Sequence, residues 1–123
     1  MTNEKRAEEI INKYRFDFNK IPKAEIRSLI ENEISNYQSG SSEYIRVLCG
    51  YLFCIGDKSD IPLLEKAKYE INMDVGCMID EEWIESLKND GKATEYIRTR
   101  SEIINSFIKY YEKFSPSDDE DEY

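Results

Sequence analysis

The chain has 123 residues, 40% hydrophobic and 35% charged, a balance too charged for a membrane protein and too apolar for a disordered one. A chain of this size buries roughly two-thirds of its unfolded surface in one core, without a metal or disulfide. The net charge is −9 and histidine is absent, which removes the commonest general base, the usual metal ligand and every Ser-His or Cys-His nucleophile pair.

Five of the 26 acidic residues lie together at 118–122, so residues 1–117 carry 17 basic against 21 acidic side chains. Lys5/Arg6 and Arg98/Arg100 are too sparse for the basic face that nucleic acid requires, and a basic protein is the natural complement. No apolar run has the length of a spanning helix, and Met1-Thr-Asn-Glu-Lys-Arg6 leads into Glu8 and Glu9 without a signal-peptide block. The expectation is a cytoplasmic protein away from membranes.

Ala7, Ile10, Ile11, Tyr14 and Phe18 recur at helical spacing and predict a first helix over about residues 4–18. Pro22 suits the first turn of a second, with Ile26, Leu29, Ile30, Ile34 and Tyr37 inward. Gln38-Ser-Gly-Ser-Ser42 closes it and offers Ser42 as N-cap of a third helix over 42–55. In Tyr44-Ile-Arg-Val-Leu-Cys-Gly-Tyr-Leu-Phe-Cys-Ile55 the only charge is Arg46, so this helix must be covered on nearly every side.

Gly56 reads as a helix stop and Asp60 as the cap of a fourth helix, with Pro62 in its first turn and Leu63, Leu64, Ala67 and Ile71 buried. Val75, Met78, Ile79, Trp83 and Leu87 mark a fifth, capped by Asp74 or by Asp80. From Lys92 to Phe114 the apolar residues, Ala93, Tyr96 and Ile97 among them, keep helical register, as one long helix or as two divided at the Thr99–Glu102 capping box. The architecture expected is all-α: a single domain over 1–114 with six or seven antiparallel helices. Residues 115–123 are expected to be a disordered acidic tail, because like charges repel and bury no apolar surface.

The three cysteines, Cys49, Cys54 and Cys77, have no metal-binding spacing and read as small buried hydrophobes. Isolated glycines offer no phosphate loop and the acidic tail has no calcium-loop geometry, so no cofactor or metal is expected. Asp80-Glu-Glu-Trp-Ile-Glu85 is the densest polar cluster, with Glu81 and Glu85 on one helical face. Acids in a first turn are what the helix dipole favours, and the functional reading beside that one is an acidic protein-binding patch. Trp83 is expected at a rim beside these acids, and one of the adjacent pair Tyr110-Tyr111 must leave the core face; exposed aromatics favour interfaces. The candidate partner-binding residues are therefore Asp80, Glu81, Glu82, Trp83, Glu85, Tyr110 and Tyr111.

The segments Tyr44–Asp57, Asp60-Ile-Pro-Leu-Leu-Glu-Lys-Ala-Lys68 and Asn72-Met-Asp-Val-Gly-Cys-Met-Ile-Asp80 resemble small bacterial HEAT-like helical proteins. In these an apolar helix, a Gly-Asp turn, an Ile-x-Leu-x-x-x-Ala-Lys helix and an Asn-x-Asp segment follow in that order. The resemblance implies a stack of α-hairpins and carries no catalytic residue across. It also implies an immunity or inhibitor module that neutralises a partner toxin. The function expected is thus a non-enzymatic protein-binding module of immunity type. Its rivals are a helical adaptor or regulator unrelated to toxins, and a carboxylate-dependent enzyme using Glu81, Glu82 or Glu85.

Overall fold

A computed structural model describes residues 1–114; the acidic tail at 115–123 lies outside the described residues. Among the described residues there are seven α-helices and no strand: α1 (Asn3–Tyr14), α2 (Lys23–Ser35), α3 (Glu43–Ile55), α4 (Ile61–Glu70), α5 (Met73–Met78), α6 (Glu81–Lys88) and α7 (Arg100–Glu112). The all-α expectation of six or seven helices holds. No helix among these residues is long and apolar enough to cross a membrane.

The apolar third segment forms the centre. Ten of the 13 residues of α3 are buried, Tyr44, Ile45 and Val47 through Cys54, and α3 packs on α1, α2, α4, α5 and α6. α7 closes the remaining side by setting the Phe107 ring on Gly50. A Cβ at position 50 would lie 2.1 Å from that ring, so only glycine leaves it a seat. Phe107 then meets Tyr51 edge-on at 5.6 Å and Trp83 at 6.0 Å, while Trp83 stacks on Phe53 at 6.2 Å. The buried Tyr51 hydroxyl donates to the Arg15 carbonyl at 2.7 Å, which removes the cost of an unpaired phenol.

The end of α3 departs from the expected glycine stop. Gly56 has φ −96°, outside the left-handed region. Glycine is needed there for space, since a Cβ would stand 2.4 Å from an Asp60 carboxylate oxygen and 2.5 Å from the Leu52 carbonyl. The orphan carbonyls are met by one side chain from α7: Arg100 Nη2 donates to Phe53, Cys54 and Gly56 at 2.7, 3.1 and 2.9 Å. Asp60 precedes α4 as expected, yet its side chain does not cap that helix. It is fully buried and accepts from Arg27 at 2.5 Å, Lys23 at 2.7 Å and the Asp57 amide at 2.9 Å, so its oxygens are committed to α2 and the preceding turn. Likewise Ser42 makes no side-chain cap; the Ser41 hydroxyl accepts from the Glu43 amide at 3.1 Å.

Three boundaries differ from the periodic reading. α1 ends at Tyr14, because Arg15 turns to φ 51°, and Phe18 begins a short 3₁₀ turn. The single helix from Val75 to Leu87 is two helices. Asn72 caps the short α5 by accepting from the Val75 amide at 2.9 Å, and Asp80 caps α6 by accepting from Glu82 at 2.8 Å. Residues 92–99 are not helical, so neither version of the C-terminal reading stands. Gly91 adopts φ 77°, and the Thr94 hydroxyl accepts from the amides of Tyr96 and Ile97 at 3.1 Å each, replacing the helical pattern with a local turn. The Thr99–Glu102 capping box does start α7. Tyr96 is 86% exposed instead of inward-facing.

Cys49 and Cys54 are buried, and burial raises both thiols, Cys54 to about 12. Cys77 departs from the expected burial and is exposed on α5, because the six-residue helix has only Val75 buried.

Two substitutions in α3 test its centrality. Leu52→Ala opens a cavity in a fully buried site and should cost about 2–5 kcal/mol. Gly50→Ala gains about 1 kcal/mol of helix propensity but collides with Phe107, a cost of about 1–3 kcal/mol that should win. Urea denaturation should show both losses, with Phe107→Leu restoring part of the Gly50→Ala loss. A stabilised Gly50→Ala would mean that Phe107 does not sit on Gly50.

Candidate functional site

α5 has six residues, too few to be stable alone, and two cations fix it from neighbouring helices. Lys68 of α4 donates its Nζ to the carbonyls of Gly76 and Ile79, both at 2.6 Å. Arg46 of α3 donates its Nε to the Met78 carbonyl at 3.1 Å. Cations at these carbonyls also suit the negative end of a helix dipole.

Arg46, the one charge of the apolar segment, reaches the surface between aromatic rings. Its guanidinium carbon lies 4.1 Å from the Tyr110 ring centre, 5.2 Å from Trp83 and 5.3 Å from Tyr111, and its Nη1 donates to the Tyr111 hydroxyl at 2.8 Å. Tyr110 and Tyr111 donate to the two oxygens of Glu43 at 2.7 and 2.9 Å. Burial, ahead of any nearby charge, raises both phenols, Tyr111 well above the ordinary range.

Beside this cluster lies an open hollow of about 720 Å³, walled by α5, Arg46, Lys68, Asp80, Glu81 and Tyr110. Three of the seven candidate residues, Asp80, Glu81 and Tyr110, therefore meet at one place. Trp83 does not lie at the rim: it is 2% exposed, because α6 turns its indole onto Phe53 and Phe107. Tyr111 is also buried, so within the pair only Tyr110 leaves the core, at 46% exposure. Glu82 turns to the α6–α7 connection, where the Arg98 side chain donates to its two oxygens at 2.7 and 3.1 Å and the Arg98 amide donates at 3.0 Å. Glu85 pairs with Lys88 at 3.4 Å.

Two exposed side chains outside the hollow's lining escaped the sequence reading. Tyr69 is 63% exposed and donates its hydroxyl to Glu81 at 3.0 Å; Met73 is 84% exposed, one turn before Cys77 on α5. Tyr69 falls off the Leu63, Leu64, Ala67 stripe, which is a readable signal, whereas Met73 is exposed only because α5 breaks away from α6. A second hollow, of about 410 Å³ between α2 and α4, includes Arg27, Glu31 and Lys66 but none of the candidate residues. Among the described residues no group of three His, Cys, Asp or Glu side chains is placed to hold a metal.

Comparison of the chain with protein-family models, curated proteins and solved structures found no match.

The Arg98 contacts hold the Glu82 carboxyl below its ordinary value of 4.5. A depressed carboxylate adds stability above the unfolded value and loses it as pH falls through the folded one. The pair is partly solvated, with side-chain exposures of 45% and 19%, so Glu82→Gln should cost no more than about 1 kcal/mol at neutral pH. Urea midpoints should show this difference shrinking below pH 4.5 and vanishing once Glu82 is protonated in both states. A difference independent of pH would mean that packing, not charge, holds the residue.

Proposed function

We propose that the chain is a non-enzymatic protein-binding module, specifically an immunity-type protein of HEAT-like build that neutralises a basic toxin domain by covering its active surface. The observation that carries this reading is an open hollow lined by the half-exposed Tyr110 together with Asp80 and Glu81, with the exposed Tyr69 hydrogen-bonded to Glu81. Exposed aromatics grouped with a charged edge favour protein contact. The net charge of −9 favours a basic partner.

Carboxylate catalysis is less well supported. Glu25, Asp57, Glu82 and Glu102 are all shifted downward by hydrogen bonds, the wrong direction for a general acid near neutral pH. Glu81 is exposed, and Glu85 lies beside Lys88. The absence of histidine adds to the same preference. An exposed free Cys77 suits a reducing, cytoplasmic setting. A helical adaptor unrelated to toxins would use the same surface and differs only in the partner.

Co-expression with the protein encoded directly upstream tests the specific reading. A complex should survive size-exclusion chromatography at low salt and weaken as salt rises. Separate elution of the two proteins at micromolar concentration would remove the immunity role. A stable partner that is no toxin would replace it with the adaptor.

A further inference from the structure

We infer that the connection between α6 and α7 is a preformed recognition loop whose tip, Tyr96, enters an apolar cleft of the partner; this rests on the protein-binding reading above and adds a contact to it. Residues 92–114 hold no glycine or proline and keep a helical register, so a longer α7 was open to this stretch. Residues 92–99 form a loop instead, and dedicated hydrogen bonds hold it. The Arg100 amide donates to the Gly91 carbonyl at 3.0 Å and joins the two ends. Arg98 clamps one arm: its side chain and amide donate to Glu82, and its Nη1 donates to the Ser106 hydroxyl at 2.7 Å. At the tip the Thr94 amide donates to the Ile97 carbonyl at 2.8 Å, while the Thr94 hydroxyl accepts from the amides of Tyr96 and Ile97. A place where such contacts override a strong local pattern is where function is expected.

A short surface loop with joined ends is of a kind that often carries function. This one presents Tyr96, the most exposed of the large apolar side chains among the described residues, and its hydroxyl has no hydrogen-bond partner among them. The turn is made by backbone groups and Thr94, so nothing in the fold requires an aromatic ring at position 96. On a loop already fixed, a side chain with two torsions loses little entropy when it is buried, which makes it an efficient anchor. A protruding tip is covered only by a concave surface. The occupant is therefore a protein with an apolar cleft of ring size and an acceptor for the phenol hydroxyl, the form of an enzyme's active surface. Shape and the ring choose this partner rather than charge, since Lys92 and Glu95 are both exposed in the same loop.

Two measurements on the full chain test this: ¹⁵N heteronuclear NOEs without a partner, and calorimetric titration with the protein encoded directly upstream. In the free chain the amides of residues 95–97 should be as rigid as those of α7 on the ps–ns timescale. Tyr96→Ala should leave the urea midpoint unchanged and weaken binding about thirtyfold or more. Tyr96→Phe keeps the ring and should lose about fivefold. Thr94→Val removes the acceptor that fixes the tip, so it should lower the NOEs of 95–97 and weaken binding severalfold with Tyr96 intact. Lys92→Ala, in the same loop, should stay within about twofold.

Mobile amides at 95–97 in the free wild-type chain would overturn the inference. A complex indifferent to Tyr96→Ala would also overturn it, and would leave the binding-module reading standing. If Tyr96→Ala lowers the urea midpoint, the ring is a structural residue and the assignment fails. Self-association of the wild-type chain that Tyr96→Ala abolishes, seen by light scattering, would replace the partner's cleft with a second copy. No complex with the wild-type chain would remove the binding reading and this contact together.

Discussion

The enclosure of α3 is the constraint on which the rest of the structure depends. A helix with ten buried residues in 13 offers no face to water, so the remaining helices must surround it. Its departures from plain apolarity each have a structural consequence. Gly50 makes the seat on which α7 docks through Phe107. Arg46 leaves the core where the Met78 carbonyl, the Tyr111 hydroxyl and three aromatic rings receive its guanidinium. The candidate site thus stands directly on the core: the residue that ends the burial of α3 on one side also anchors α5 and shapes the hollow.

The acids divide into two kinds, and the division separates structure from surface. Asp60 is buried and surrounded by Arg27, Lys23 and the Asp57 amide, and Glu33 is buried against Arg6. Such pairs are costly to break from one side, since the partner left behind is an uncompensated buried charge. Asp80 and Glu81 instead sit at the start of α6, where the helix dipole favours them, and accept from the Glu82 amide and the Tyr69 hydroxyl. The first kind fixes α2 to α1 and to the turn before α4; the second lies at the surface.

What could be read from the sequence was mostly local. The apolar run of α3, the Thr99–Glu102 box and the Asp80 cap depend on residues close in the chain, and each has its expected role. What escaped depends on distant partners. Asp60 was legible as a helix start, but not as the acceptor for two α2 cations. Trp83 looked peripheral among glutamates, yet the direction of α6 places it on Phe53. Tyr96 kept an apolar register that the Thr94 hydroxyl overrides. The site was half visible: Asp80, Glu81 and Tyr110 could be named from their local pattern and Tyr69 from its place off the α4 stripe, whereas Met73 lies on a short α5 that the periodic reading did not separate from α6.

Native-state amide hydrogen exchange tests the central claim most directly, because it ranks each helix by the free energy needed to open it. If α3 is the element the others enclose, the amides from Leu48 to Phe53 should exchange only through global unfolding. They should be the slowest in the chain, and their denaturant dependence should equal that of the whole protein. Exchange of these amides by a local opening, faster than the amides of α1 or α7, would contradict the account.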